Sequence, residues 1–323
     1  MEIGGRAAPV GAGGEAGQET ATGPGSRAVL LFADGTRVVL GDQTSVRCWD
    51  EDRGRRVDLE RGRIAAEVRP QRRASPFVAA TAVAEAIVVG TRFRLMAGPA
   101  LARLDVEEGR VVFRRRSDGA EAAVAAGHYA LASAEERPMA WPKPPEEIVL
   151  VPSQGRIVGA EWRLVRDPAA LSGAALETTR HDEKTGGMTA SRSFVAFTFQ
   201  AEADRDYRVW VRGRCLETRD SPWSHDAVAL LPLGGRFDRP CADAKTRGTD
   251  AHLFNGYADD PGLRGRYFWI GGNGLDASVT LRFARPGPQT LQLHAMESPM
   301  RVDAIWHSTA RRDRPGPDAR PPR

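Results

Sequence analysis

From Ala28 onward the chain alternates apolar and polar side chains, and turn residues interrupt it every few positions. A period of two is the pattern of strands with one buried face. Ala28–Phe32 is apolar, Asp34-Gly35 signals a hairpin, and Arg37–Leu40 reads as the return strand. Further strands are predicted at Arg56–Leu59, Arg63–Val68, Phe77–Thr81, Glu85–Val89 and Arg92–Met96. The series continues with Ala102–Val106, Arg110–Arg114, Ala122–Ala125 and Tyr129–Ala132. One pattern occurs twice: Val57-Asp58-Leu59-Glu60-Arg61-Gly62-Arg63-Ile64 returns as Leu104-Asp105-Val106-Glu107-Glu108-Gly109-Arg110-Val111. Each copy reads as strand, tight turn at glycine, strand, with glycine free to take φ > 0. No convincing amphipathic helix is visible.

The flanks differ. Residues 1–27 are rich in Gly and Ala and are predicted to be a disordered segment. Gly11-Ala12-Gly13-Gly14 lacks the preceding strand and following helix of a phosphate loop. Residues 134–154 hold Pro138, Pro142, Pro144, Pro145 and Pro152, which predicts an extended linker. A second β region runs over 155–309, clearest at Phe194–Ala201, Asp206–Arg212, Ala227–Leu231, Ser278–Phe283, Gln289–Ala295 and Arg301–Trp306. Residues 310–323 are rich in Arg, Pro and Asp and are predicted to be disordered. The expected organisation is all-β, with domains at 28–133 and 155–309.

Composition narrows the class of function. A length of 323 residues suits two domains, and 41% hydrophobic content suits packed cores. No stretch approaches the roughly 20 apolar residues of a membrane helix, so no membrane insertion is expected. Residues 2–27 do not read as a secretory signal. The net charge of +4 comes from 46 basic and 42 acidic residues, with the signs interspersed and no basic helix. Nucleic acid is therefore not an expected partner. The cysteines are Cys48, Cys215 and Cys241, with no C-x-x-C to suggest zinc. Cys48 reads as a small buried apolar residue. Cys215 and Cys241 share one domain and are candidates for a disulfide in an oxidising compartment.

Catalytic signatures are missing. G-x-S-x-G, H-E-x-x-H and the P-loop are absent. Ser224-His225-Asp226 has the residue types of a triad, but neighbours on a strand point to opposite faces. Paired carboxylates for glycoside hydrolysis depend on a separation in space. A cryptic glycoside hydrolase therefore stays open as an alternative.

Several short motifs in order carry a family resemblance: Asp34-Gly35-Thr36, Leu59-x-x-Gly62, Pro76-Phe77-Val78, Val89-Gly90-Thr91-Arg92-Phe93, Val106-x-x-Gly109-x-Val111 and Ala126-Gly127. Together, over about 28–133, they resemble a FecR domain. The resemblance implies an extracytoplasmic β domain, which in iron-transport regulators relays a signal from an outer-membrane receptor to a sigma factor. Neither that family's cytoplasmic anti-sigma segment nor its membrane helix is legible here. The expectation carried over is the module and a membrane or envelope protein as its partner.

A second series runs Tyr207-x-x-Trp210-x-Arg212, Asp226-Ala227-Val228, Val279-Thr280-Leu281, Met296-Glu297 and Asp303-x-Ile305. Over about 155–309 it resembles jelly-roll carbohydrate-binding modules of families 6 and 35. That resemblance implies a structural calcium held by Glu161 and Asp303. It also implies a sugar platform of Tyr267, Trp269 and Asn273, with Trp223 and Asp226 as outer members. Trp210 reads as core, and Trp269 as either platform or core. The expected function is a non-enzymatic protein of the periplasm or cell surface, binding a polysaccharide or cell-surface glycan. The alternative is a protein-interaction scaffold whose jelly roll binds no sugar. Exposure of Tyr267 and Trp269 in a groove separates the two.

Overall fold

The computed structural model describes residues 1–9, 11–51, 54–178, 192–216, 227–240, 250–255, 263, 265–272, 278–296 and 300–322. The fold is all-β: among the described residues helical structure is confined to a 3-10 turn at Pro152–Gln154 and to Leu263. The chain divides into two compact units, Met1–Lys143 and Pro144–Arg323.

The first unit is one fifteen-stranded sheet folded into two layers. The first layer contains Glu19–Ala21, Ser45–Glu51, Phe77–Ala80, Ala84–Val88, Arg110–Arg115 and Glu121–Ala125. The second contains Ala28–Leu31, Arg37–Leu40, Arg92–Ala97, Leu101–Glu108, His128–Ser133 and Met139–Pro142. The 14-residue strand Gly54–Glu67 belongs to both. Its first half pairs with Ser45–Glu51 and, in parallel, with Phe77–Ala80, and its second half pairs with Arg37–Leu40 and Arg92–Ala97. Apolar side chains of both layers, among them Val57, Phe77, Phe113, Leu40, Phe93 and Leu104, form a single core. Each such side chain contributes about 1.5–3 kcal/mol when fully buried.

The doubled pattern is a corner and not a hairpin. Gly62 has φ of +86° and lies inside a continuous strand beside a bulge, where Ser45 faces Arg61 but Val46 faces Leu59. Val57 and Leu59 are buried before it, and Ile64 and Ala66 after it. The buried set changes from odd to even positions as the strand leaves one layer for the other. Gly109, with φ of +80°, does the same: Leu104 and Val106 are buried before it, Val111 and Phe113 after it. Leu101–Glu108 and Arg110–Arg115 belong to different layers. A bulge inserts one unpaired residue and so shifts the side-chain alternation by one.

The N-terminal segment is ordered where disorder is expected. Glu19–Ala21 pairs with Ser45–Glu51, and Thr22 Oγ1 donates to Gly41 O at 2.6 Å. Threonine hydroxyls hold this segment, a signal masked by its glycines and alanines. The proline-rich stretch is likewise not a free linker. Met139–Pro142 completes the second layer, and Glu147–Leu150 pairs with Met300–Ser308 in the second unit. Pro142 closes a strand, Pro152 opens the 3-10 turn, and Pro138, Pro144 and Pro145 lie between strands, where a missing N–H costs little.

The second unit is a β-sandwich. The larger sheet has eight strands, with Trp162–Arg166, Ala174–Thr178, Met300–Ser308, Tyr207–Cys215, Val279–Phe283 and Gly235–Phe237 in that order. Glu147–Leu150 adds to Met300–Ser308, and Phe268–Ile270 to Tyr207–Cys215. The smaller sheet runs Arg156–Val158, Phe194–Ala201, Gly287–Ala295, Ala227–Leu233, His252–Asn255. Val195, Phe197 and Leu293 of the smaller sheet meet Val209, Leu281 and Ile305 of the larger. His307 is fully buried in this core with its ring 4.9 Å from that of Phe199. Burial holds its pKa down at about 3, so the ring is neutral.

Candidate functional site

Alternation along Tyr207–Cys215 sends Tyr207, Val209 and Val211 into the sandwich core. Trp210, Arg212 and Arg214 therefore occupy the opposite face of the larger sheet. Three of the residues singled out by sequence, Tyr267, Trp269 and Asp303, meet them there. Trp210, Trp269 and Trp306 pack together, with the Trp306 ring 5.3 Å from that of Trp269 and 5.8 Å from that of Trp210.

Trp269 is completely buried and Tyr267 is 5% exposed. The residues expected to be disordered cover the tryptophans. Trp269 Nε1 donates to Ala319 O at 3.1 Å, Arg314 donates to Trp269 O at 3.4 Å, and the Arg311 guanidinium lies 5.0 Å from the centre of the Trp306 ring. The Trp269 indole N–H and the face of the Trp306 ring hold a proline-rich tail that has no strand of its own among the described residues.

Beside the tryptophans lies a buried ionic cluster. The bulge between Arg212 and Gly213 leaves Asp303 without a cross-strand partner. Its Oδ2 accepts from the Arg212 guanidinium and from the Leu171 N–H at 2.7 Å. Asp167 Oδ2 accepts from Tyr267 Oη at 2.8 Å and Arg301 at 2.9 Å, and Arg214 stands 3.1 Å away. Glu177 accepts from Arg301 Nε at 2.6 Å and from Arg163 Nε at 2.9 Å. The Arg212 and Arg214 guanidinium groups lie 4.9 and 5.2 Å from the centre of the Tyr267 ring.

The electrostatics follow from burial set against these partners. Burial alone would raise Asp167 and Glu177, but the Tyr267 hydroxyl and Arg301 on the first, and Arg163 and Arg301 on the second, hold both below the usual range. Asp303 behaves oppositely. Its burial outweighs Arg212 and the Leu171 N–H, and its pKa is pushed up to about 6. Tyr267 is raised by burial and by its bond to Asp167, so its hydroxyl remains a donor.

Glu161 does not join Asp303. It lies in the bend between Arg156–Val158 of the smaller sheet and Trp162–Arg166 of the larger, where its N–H donates to Ser193 Oγ at 2.9 Å. The opening strand that adds to Met300–Ser308 is Glu147–Leu150, whose Glu147 accepts from the Trp306 indole and from Ser308 Oγ. Calcium takes six to eight oxygen ligands. Among the described residues no group of three or more Asp, Glu, His or Cys could hold a metal. A guanidinium already supplies the positive charge at Asp303. The described residues do not fit calcium.

The remaining sequence-derived candidates are divided. Trp223, Asp226 and Asn273 lie outside the described residues, as does Cys241. Cys215 is buried at the end of its strand. Sequence reasoning missed Arg212, Arg214, Arg301, Asp167 and Glu177. The signal available was the i, i+2 spacing of Trp210, Arg212 and Arg214, which puts three large side chains on one face.

In the first unit the outer face of the second layer is unusual. Val29, Leu31, Met96 and Met139 are 44%, 75%, 43% and 56% exposed. A cavity of about 460 Å³ on this face is lined by Arg27, Arg63, Arg94, Arg103, Val39 and Met96, among others. Arg63, Arg94 and Arg103 are paired with Asp42, Glu107 and Asp105.

Comparison with known proteins adds the following. Residues 18–112 match the sequence profile of the family described as FecR protein. No curated protein matches the chain. A protein from Parabacteroides distasonis ATCC 8503 assigned as an anti-sigma factor is 20% identical, with a TM-score of 0.35 over 39% of this chain and 59% of that one. The chain thus spans 59% of the length of that protein. A family 36 carbohydrate-binding module, in complex with calcium and xylotriose, is 16% identical, with a TM-score of 0.29 over 50% of this chain and 99% of that one. The GH26-CBM35 β-(1,4)-mannanase of Podospora anserina is 9% identical, with a TM-score of 0.30 over 52% of this chain and 29% of that one.

Proposed function

We propose that this chain is a non-enzymatic, extracytoplasmic binding protein. Its FecR-like first unit docks a protein, and its second unit is a jelly roll that binds no sugar through the Tyr267–Trp269 face. The observation that carries the reading is the exposed Val29, Leu31, Met96 and Met139 on one sheet face of the first unit. Apolar side chains gathered on one face mark an interaction surface. The match of residues 18–112 to the FecR family supports a partner in the cell envelope.

For the second unit, the burial of Tyr267 and Trp269 favours the scaffold over the glycan reading. A sugar platform needs an open aromatic face, and here the tail lies over it. The other residues singled out for sugar, Trp223, Asp226 and Asn273, lie outside the described residues. The hydrolase reading loses support for a related reason. Asp303 has the raised pKa of a general acid, but it is completely buried and bonded to Arg212.

The test has two arms on the full chain. Affinity electrophoresis through a panel of soluble polysaccharides, with calcium and with chelator, is expected to show no retardation. Selection of a displayed random-peptide library on the immobilised protein is expected to enrich binders. Retardation by a glycan, or a library that enriches nothing, overturns the corresponding half of the reading.

A further inference from the structure

The strand Ala28–Leu31 pairs with Arg37–Leu40 on one side, and among the described residues no strand lies on its other side. The hairpin fixes which backbone groups face outward. Phe32 N–H donates to Thr36 O at 3.0 Å, so Leu30 facing Val38 and Ala28 facing Leu40 are the hydrogen-bonded pairs. The N–H and C=O groups of Val29 and Leu31 therefore point away from the sheet. The same two residues expose apolar side chains, 44% and 75%.

Edge strands are commonly protected by lysine, proline or a bulge. The far edge of this layer, Met139–Pro142, ends in proline. Ala28–Leu31 has none of these devices. Around it stand two exposed arginines, Arg27 just before the strand and Arg37 opposite Leu31. Among the described residues neither has an ion pair, whereas Arg63, Arg94 and Arg103 do. Arg27 lines the cavity with Val39, and Arg37 lies beside Val39 and Glu67 on the same face.

We infer that this edge accepts an extended strand of a partner protein, acidic and apolar at alternate positions. The inference rests on the protein-docking reading above and names its surface. The outward groups of Val29 and Leu31 bond the incoming backbone. The partner's outer-face side chains lie against Arg27, Val29 and Leu31, so a carboxylate, an apolar group and a second carboxylate are the complementary set. Arg37 reaches the second carboxylate from the next strand. A second copy of this chain is a poor occupant. Antiparallel self-pairing sets Leu31 against Arg27 or Val29 and brings no free carboxylate, since the nearby Asp34 is held by Arg55 and Gln71.

The test measures fluorescence anisotropy of a labelled peptide, Thr-Glu-Thr-Val-Thr-Glu-Thr, with the full chain. A version with Lys in place of Glu is the control. The glutamate peptide is expected to bind and the lysine peptide not to bind. Val29→Pro deletes only an outward N–H, so the fold should survive while binding falls about tenfold, the equivalent of one net hydrogen bond. The double reversal Arg27→Glu and Arg37→Glu is expected to transfer binding to the lysine peptide, and it keeps the test decisive should Val29→Pro fail to fold. No binding, equal binding of both peptides, or binding unchanged in Val29→Pro overturns the inference. Dimerisation abolished by Val29→Pro would overturn it in favour of a second copy. Display-selected peptides that bind Val29→Pro as well as the parent would leave protein docking standing and remove this edge from it.

Discussion

Arg212 donates into the carboxylate of Asp303 at the centre of the second unit's larger sheet, and the Asp303 residue is completely buried. The pair is reinforced by the Leu171 N–H and roofed by Tyr267. Replacing Arg212 by Met leaves a carboxylate with no countercharge, which costs about 3–5 kcal/mol for a buried pair. The loss should be larger at pH 8 than at pH 5, because Asp303 titrates near 6 and can take up a proton at the lower pH. Adding Asp303→Asn to Arg212→Met should recover part of the loss. Thermal unfolding of the two variants at both pH values checks this.

Acid should destabilise the second unit through His307. Its folded pKa, about 3, lies below the 6.5 of an unfolded histidine. Between those values the unfolded chain holds the extra proton, so stability falls as pH drops from 6.5 towards 3 and is level above 6.5. His294, lowered by burial to about 4, acts in the same direction. His307→Phe, stacking on Phe199, should flatten the slope without abolishing it. Denaturant titrations from pH 4 to 7 measure the slope.

Removing residues 310–323 should uncover the tryptophan cluster. Trp269 loses the acceptor Ala319 O, and Trp306 loses Arg311. The expected outcome is a red-shifted tryptophan emission and a melting temperature lower by a few degrees, corresponding to about 1 kcal/mol. An unchanged spectrum would show that the tail leaves these rings in solution.

Calcium and chelator should give coincident melting curves. A bound ion stabilises by mass action, and the described residues offer Asp303 only in a form already bonded to Arg212. A calcium-dependent rise in melting temperature would point to ligands among the remaining residues.

Gly62→Ala and Gly109→Ala should each destabilise the first unit by more than the about 1–3 kcal/mol of a strained backbone. A Cβ at Gly62 would meet Thr44 Oγ1 at 2.4 Å and Thr44 Cα at 2.7 Å. At Gly109 it would meet Thr91 Cγ2 at 2.8 Å and Gly90 O at 3.0 Å. By contrast Gly119→Ala, with φ of +71° but open space, should cost the backbone strain alone. Urea unfolding of the three variants separates strain from contact.

The strands themselves were legible because alternation reports burial directly: Phe194–Ala201 is predicted and observed with the same ends. Their connections were less legible. Val57-x-Leu59-x-x-Gly62-x-Ile64 shows its change of phase in the sequence, but a hairpin and a corner share that glycine. The site was half legible. Tyr267, Trp269 and Asp303 do come together, yet whether an aromatic is open or sealed depends on what lies over it, and the cover comes from residues about 50 positions away, as in the Trp269–Ala319 bond. Glu161 was paired with Asp303 through the resemblance, as an opening and a closing acid, whereas the strands that flank Met300–Ser308 at Val302 are Ala174–Thr178 and Tyr207–Cys215. Arg212 entered the sequence reading only as part of the Tyr207-x-x-Trp210-x-Arg212 motif, because its carboxylate partner Asp303 lies far along the chain.

The corner at Gly62 makes this part of the chain sensitive to reading frame in a structural sense. Deleting one residue from Glu60–Arg61 would remove the bulge and its change of phase together, leaving Val57, Leu59, Ile64 and Ala66 in one unbroken alternation on a strand that has lost its corner. Deleting two would remove the bulge but keep the odd-to-even change, and so turn Ile64 and Ala66 outward and Arg63 and Ala65 inward. In the exposed turn around Asp118–Gly119 the same deletions should be tolerated. Natural length variation in such sandwiches should therefore avoid these corners and accumulate in the turns.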